Sequence, residues 1–166
     1  MKVGQSVFAR LSSFEGNIGL YFKDLTDDET LEINGNRVFS AASIIKIPLT
    51  LKISEMISEG KYKMSDKIVI KENNRVGGTG VIQNLNKEYI PTVAELILLT
   101  LSVSDNVATN ELVELAGGFE KINEYCAGLG LTSTVMQRKM MDSEAREKGL
   151  DNWVSARDIG QLLEKI

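Results

Sequence analysis

The chain has 166 residues, 43% of them hydrophobic and 25% charged, with a net charge of −4, a balance that suits one ordinary globular domain or two small lobes. With no basic stripe and few aromatic residues it gives no support to nucleic-acid binding, and no apolar run approaches the length of a membrane span. It has no histidine and a single cysteine, Cys126, which excludes an intrachain disulfide, Ser-His-Asp and Cys-His catalysis and the commonest zinc sites.

The first six residues lack the apolar core of a secretory signal, so the chain is either cytoplasmic or starts after a signal has been removed. Residues 5–14 have helical spacing, with Val7, Leu11 and Phe14 on one side. Ile18–Lys23 and Thr30–Ile33 have strand character around a polar turn and read as a β-hairpin. Asn34-Gly-Asn36 turns into Val38-Phe39. From about Ala42 to Glu59 the pattern is helical and apolar. Pro48 conflicts with it, removing a backbone donor and bending or tightening the early helix.

That helix opens on Ser43 and Lys46, an S-x-x-K pair. A helix advances about 100° per residue, so the spacing puts the lysine amine over the serine hydroxyl. A serine needs a base to become a nucleophile, and burial among Ile44, Ile45 and Ile47 lowers a lysine pKa toward that role. The alternative is a helix start with a lysine whose stem alone is buried. A second S-x-x-K, at Ser58 and Lys61, sits at a probable helix end beside Gly60 and reads as chance spacing.

Residues 61–72 read as a surface connection with an extended piece at Ile68–Ile70. Val76–Val81 is glycine-rich but lacks the G-K-[ST] ending of a phosphate loop, so it is a flexible or tightly turned segment. Thr92 and Glu95 form a capping box, and the nearly all-apolar run Val93–Val103 predicts a buried helix. Ser104-Asp-Asn106 interrupts it. Helices over 107–116 and 119–127 are stopped by Gly117-Gly118 and by Gly128–Gly130, with Cys126 as a small core residue. Residues 131–154 are charged and without periodicity, as a functional or disordered loop would be. Ser155 caps a last helix, still running at Ile166, that carries Ile159, Leu162 and Leu163.

The triplet at 104–106 has two readings. Ser104 or Asp105 satisfies the free amides of the following helix. Alternatively, Ser104 and Asn106 face Ser43, where a second hydroxyl and an amide shuttle a proton to a leaving nitrogen and orient a substrate amide, while the Ser43 N–H serves as an oxyanion donor.

The sequence around Ser43 and Lys46, the Leu-Ser-Val-Ser104-Asp-Asn106-Val-Ala-Thr-Asn-Glu-Leu stretch and Leu-Ala-Gly-Gly118 together resemble the class A β-lactamases and related penicillin-recognising serine hydrolases. The resemblance runs from about residue 15 to the end. It implies an α+β fold of the β-lactamase/transpeptidase type. Residues 1–40 would be the N-terminal part of an α/β lobe. Residues 41–166 would be a helical lobe with an omega-type loop at about 131–154. It implies Ser43 as the acylated nucleophile, Lys46 as base or relay, Ser104 as relay, and Asn106 positioning Lys46 and the substrate amide. The Gly77–Gly80 loop would form one wall of the cleft. No cofactor or metal is implied. The substrate would be a small-molecule β-lactam or a peptidoglycan-type peptide, and the setting secreted or in the cell envelope.

Two departures follow. There is no K-T-G, and the strands that carry it in the family are absent. That suggests a fragment, with a separate C-terminal fragment as the partner that completes the fold. The family's deacylating glutamate is also not evident: counting from Ser104 puts Met140 in its place. Asp142 and Glu144 are near, and either Glu144 substitutes as base or it is one surface charge among many. Without a base the acyl-enzyme persists, as in a D,D-peptidase, a penicillin-binding sensor or an inactive fragment. Arg138 is expected to tie the loop down through Asp105 or Asp142.

Overall fold

The computed structural model describes residues 2–11 and 13–166, with side chains from residue 6 onward. The expected first helix, over 5–14, is α1, Lys2–Leu11. Ser12, inside the expected range, and Met1 lie outside the described residues. The hairpin forms as expected: β1 (Leu20–Lys23) pairs antiparallel with β2 (Thr30–Ile33), Leu20 opposite Ile33 and Lys23 opposite Thr30.

The centre of the fold is α2, Lys46–Ser58, entered through a 3-10 turn over Ala42–Ile45. This is the tightening that Pro48 demands: the proline sits in the first turn of α2, where its missing N–H matters least. Ile45, Leu49 and Ile53 point inward and are fully buried. They meet Leu96 of α3 (Val93–Ser102), Leu112 of α4 (Asn106–Leu115) and Ile122 and Cys126 of α5 (Phe119–Gly128) in one cluster. Burying each aliphatic side chain contributes about 1.5–3 kcal/mol.

The helix ends are set locally. Thr92 and Glu95 form the expected capping box, Glu95 N–H donating to Thr92 Oγ1 at 3.2 Å and Thr92 N–H to Glu95 Oε2 at 2.6 Å. Gly117 and Gly118, with φ of 89° and 88°, take the left-handed conformation that stops α4. Apolar content misleads for α3 itself. Leu98 and Leu101 are 61% and 55% exposed, because only the Val93–Leu96–Thr100 side of the helix meets neighbours among the described residues.

The charged segment 131–154 is more ordered than its lack of period suggests. Val135 and Trp153 pair by two main-chain hydrogen bonds, of 2.9 and 2.8 Å, closing the loop at its base. The loop carries a short helix α6, Ser143–Glu147, capped by Asp142. Trp153–Ser155 is then a strand, β4, antiparallel to β3 (Val38–Ser40). Ala41 N–H donates to Asn152 O at 2.7 Å, so the two residues before Ser43 are tied to the loop's end. Ser155 also caps α7, Ala156–Glu164, accepting from Asp158 N–H at 3.1 Å. Helix α7 ends two residues short of Ile166 and packs on β1. The Arg157 guanidinium grips both oxygens of Glu32 on β2, at 2.6–2.9 Å.

Because α2 is the shared wall of the core, Leu49→Ala leaves a cavity that three helices cannot all collapse into. The expected loss is about 2–5 kcal/mol of stability, measured by urea denaturation.

Candidate active site

Ser43 stands exposed on the 3-10 turn, one residue after Ala42, whose φ is 45°. Lys46 opens α2 and is 2% exposed. Ser104 joins α3 to α4 with φ of 54°. A side chain in this left-handed region is strained unless its surroundings hold it there.

The turn and the junction bring the polar groups together. Ser43 Oγ and Ser104 Oγ share a hydrogen bond of 2.8 Å. The Lys46 amine donates to Ser104 O at 2.7 Å, to Ser104 Oγ at 2.8 Å and to Asn106 Oδ1 at 3.0 Å. The spacing alone puts this amine over Ser43; in the structure its three contacts are with Ser104 and Asn106, and Ser104 stands between amine and exposed serine. Burial pulls the Lys46 pKa from 10.5 to about 8, against the opposing pull of the Asp105 charge.

Both readings of the triplet hold at once. Asp105 is the N-cap of α4, accepting from Ala108 N–H at 2.9 Å. Its other oxygen accepts from Val81 N–H at 2.7 Å and Ile82 N–H at 2.9 Å. Asn106 N–H donates to Thr79 O at 3.0 Å and its side-chain amide to Gly77 O at 3.2 Å. The glycine-rich segment is therefore a tight turn laid against 105–106. It must lack side chains there: a Cβ on Gly80 would lie 2.4 Å from the Asp105 carboxyl.

Glu144 is not drawn into this group. It lies on α6, exposed, with its carboxylate on Lys148 at 2.6 Å. Asp142 accepts from Ala145 N–H as the cap of α6. Arg138 does tie the loop down, but through Asp151, at 2.8 Å, rather than Asp105 or Asp142. Asp105 is saturated by main-chain donors, and the Val135–Trp153 closure brings Asp151 alongside Arg138. Asp151 also accepts from Ser40 Oγ at 2.8 Å and is held below the usual carboxylate range by these partners, against its own burial.

Three supporting residues escape a reading of the sequence. Asn110, fully buried, accepts from Met140 N–H at 2.8 Å and donates to Met140 O at 3.3 Å. Asn152 accepts from Gln137 and Arg138 N–H. Glu111, buried, accepts from Lys71 N–H and the Asn74 amide. The available signal was Asn110-Glu111 inside an otherwise apolar helix, since buried polar groups require partners.

A serine, a second serine and a buried lysine in hydrogen-bonded line, on a helical lobe beside a small sheet, define the class of serine hydrolases with a lysine base. The comparisons agree. The family model described as the beta-lactamase enzyme family matches residues 2–166, and the chain belongs to that family. It is 26% identical to extended-spectrum beta-lactamase PER-1 of Pseudomonas aeruginosa, over 84% of this chain and 47% of that protein. It is 25% identical to beta-lactamase CARB-3 of the same organism, over 99% and 57%. The chain thus spans about half the length of these curated relatives. Among solved structures, a PBP-A mutant in acyl-enzyme complex with penicillin-G superposes with a TM-score of 0.89 at 26% identity, over 99% of this chain and 61% of that one. A beta-lactamase from Sphaerobacter thermophilus gives 0.86 at 30% identity, over 99% and 62%.

Asp105→Asn keeps the shape but offers one acceptor oxygen in place of two. It should cost about 1–3 kcal/mol of stability by chemical denaturation, since at least one buried N–H is left unpaired.

Proposed function

We propose that this chain is a serine hydrolase of the β-lactam amide bond, acylated at Ser43. The observation that carries the reading is the line Ser43 Oγ, Ser104 Oγ, Lys46 Nζ, each step 2.8 Å. With the amine neutral, two N–H bonds remain for Ser104 O and Asn106 Oδ1, and the lone pair faces Ser104 Oγ. Ser43 attacks the carbonyl carbon while its proton passes to Ser104 and the Ser104 proton to Lys46. The Ser43 N–H, at the start of a turn, donates to the developing oxyanion. As the C–N bond breaks, Ser104 gives its proton to the leaving nitrogen and recovers one from Lys46. Asn106, fixed by Gly77 and Thr79, holds the substrate amide.

At pH 7 about a tenth of the lysine is neutral for a pKa near 8. The acylation rate should therefore rise with pH and level off above about 8, read as adduct formation by intact mass spectrometry with benzylpenicillin. The adduct should be absent in Ser43→Ala. Failure of the parent to form it at any pH overturns the reading.

For deacylation we infer a long-lived adduct, of the kind a D,D-peptidase-like or sensor domain forms. The Glu144 carboxylate is engaged by Lys148, and Met140, held by Asn110, carries no base. The adduct should decay over hours rather than seconds, at the same rate in Glu144→Gln. A marked slowing in that variant would instead make Glu144 the turnover base.

The division into residues 1–40 and a helical lobe over 41–166 belongs to the same proposal, as does a cell-envelope or secreted setting. So does a separate polypeptide segment completing the sheet. A two-stranded sheet is marginal alone. Between the hairpin and α7 lies a groove of about 540 Å³ lined by Phe14, Tyr21, Phe39, Ile44, Ile159 and Leu163. The untreated mass spectrum tests for a second chain.

A further inference from the structure

Met141 is a large apolar residue with 55% of its surface exposed and a φ of 62°, a conformation that favours Gly, Asn or Asp. Neither core packing nor turn chemistry accounts for it. The residues on either side are fixed. Met140 is gripped at both its N–H and its C=O by the Asn110 side chain. The Lys139 amine donates to Asn74 Oδ1 at 2.6 Å and pairs with Glu114. Asp142 is committed to α6. The strained backbone is over-determined from both ends, the condition under which strain at a functional position persists.

What this presents is the thioether. A Cβ placed on Gly78 would lie 3.0 Å from Met141 Sδ and 2.8 Å from Asn106 Nδ2. The space that Gly78 leaves empty is therefore shared by the Met141 side chain and the amide proposed to hold the substrate. On its other side Met141 borders a cleft of about 250 Å³ lined also by Asn73, Val76, Met140, Ser143 and Glu144. A substrate whose amide lies at Asn106 would carry its acyl side chain across Met141 toward that cleft.

We propose that Met141 is a specificity-determining residue of the Ser43 site, selecting amide substrates with an apolar, aromatic acyl side chain through its polarizable thioether. This rests on the acylation of Ser43 argued above. A thioether packs well on an aromatic ring, with sulfur about 5 Å from it. Discrimination by one such apolar contact is worth about tenfold or more in rate.

The test compares second-order acylation constants of the full chain for benzylpenicillin and for 6-aminopenicillanic acid, which lacks the acyl side chain. The parent should favour benzylpenicillin. Met141→Ala should lower the ratio of the two constants about tenfold, and Met141→Leu, which keeps apolar volume, should hold it within about twofold. If Met141→Ala slows both reactions equally, the ratio stands and the inference is overturned, Met141 then serving the loop alone. A parent acylated by neither compound removes the Ser43 reading and this inference with it. A parent acylated normally, with a ratio that no variant moves, removes the inference alone.

Discussion

A carboxylate taken out of water is costly unless hydrogen-bond donors meet it. At Asp105 they do: it is fully buried and accepts from the main chain of Ala108, Val81 and Ile82. One oxygen fixes the start of α4 and the other fixes the turn after the glycine-rich segment. Ser104 and Asn106, its neighbours in the chain, are held in place as a result. The charge also acts at a distance on Lys46, opposing the desolvation that pulls the amine toward neutrality. The lysine settles near pH 8 because one buried group is partly answered by another.

The candidate site was legible in the sequence where residue type and short spacing decide. Ser43, Lys46, Ser104 and Asn106 do converge, and the capping box at Thr92 and Glu95 and the stop at Gly117-Gly118 form from local chemistry. Long-range choices were not legible. The S-x-x-K spacing puts amine and hydroxyl on one face, but the 3-10 turn and the α3–α4 junction steer the amine to Ser104. Arg138 had several acids within reach along the chain, and only the pairing of Val135 with Trp153 selects Asp151. The three-residue strands β3 and β4 are too short to show a period. The apolar run of α3 says which residues could be buried and not whether a neighbour exists to bury them.

Strain is distributed with the same logic. Ala42, Ser104 and Met141 are three of the five non-glycine residues with positive φ among those described. Each such residue costs on the order of 1–3 kcal/mol. They come from three separate segments and border the same few ångströms of surface. Each has an adjacent restraint: the Ala41–Asn152 hydrogen bond, the Asp105 carboxylate and the Asn110 side chain. The core supplies the rigidity that lets the site stay in conformations the chain would otherwise leave.

The Val135–Trp153 closure sets how this surface can change over generations. A loop whose ends are already pinned pays little for extra length, about 0.6 kcal/mol for each doubling. The arc has two unequal halves. Arg138 to Met140 is fastened to Asp151, Asn74, Glu114 and Asn110. From Ser143 to Leu150 it is a short, mostly exposed helix and turn. Insertions and deletions are cheap in the second half and ruinous in the first. New carboxylates can therefore be tried over the serine by reshaping the outer half, while the inner half and the core keep their sequence.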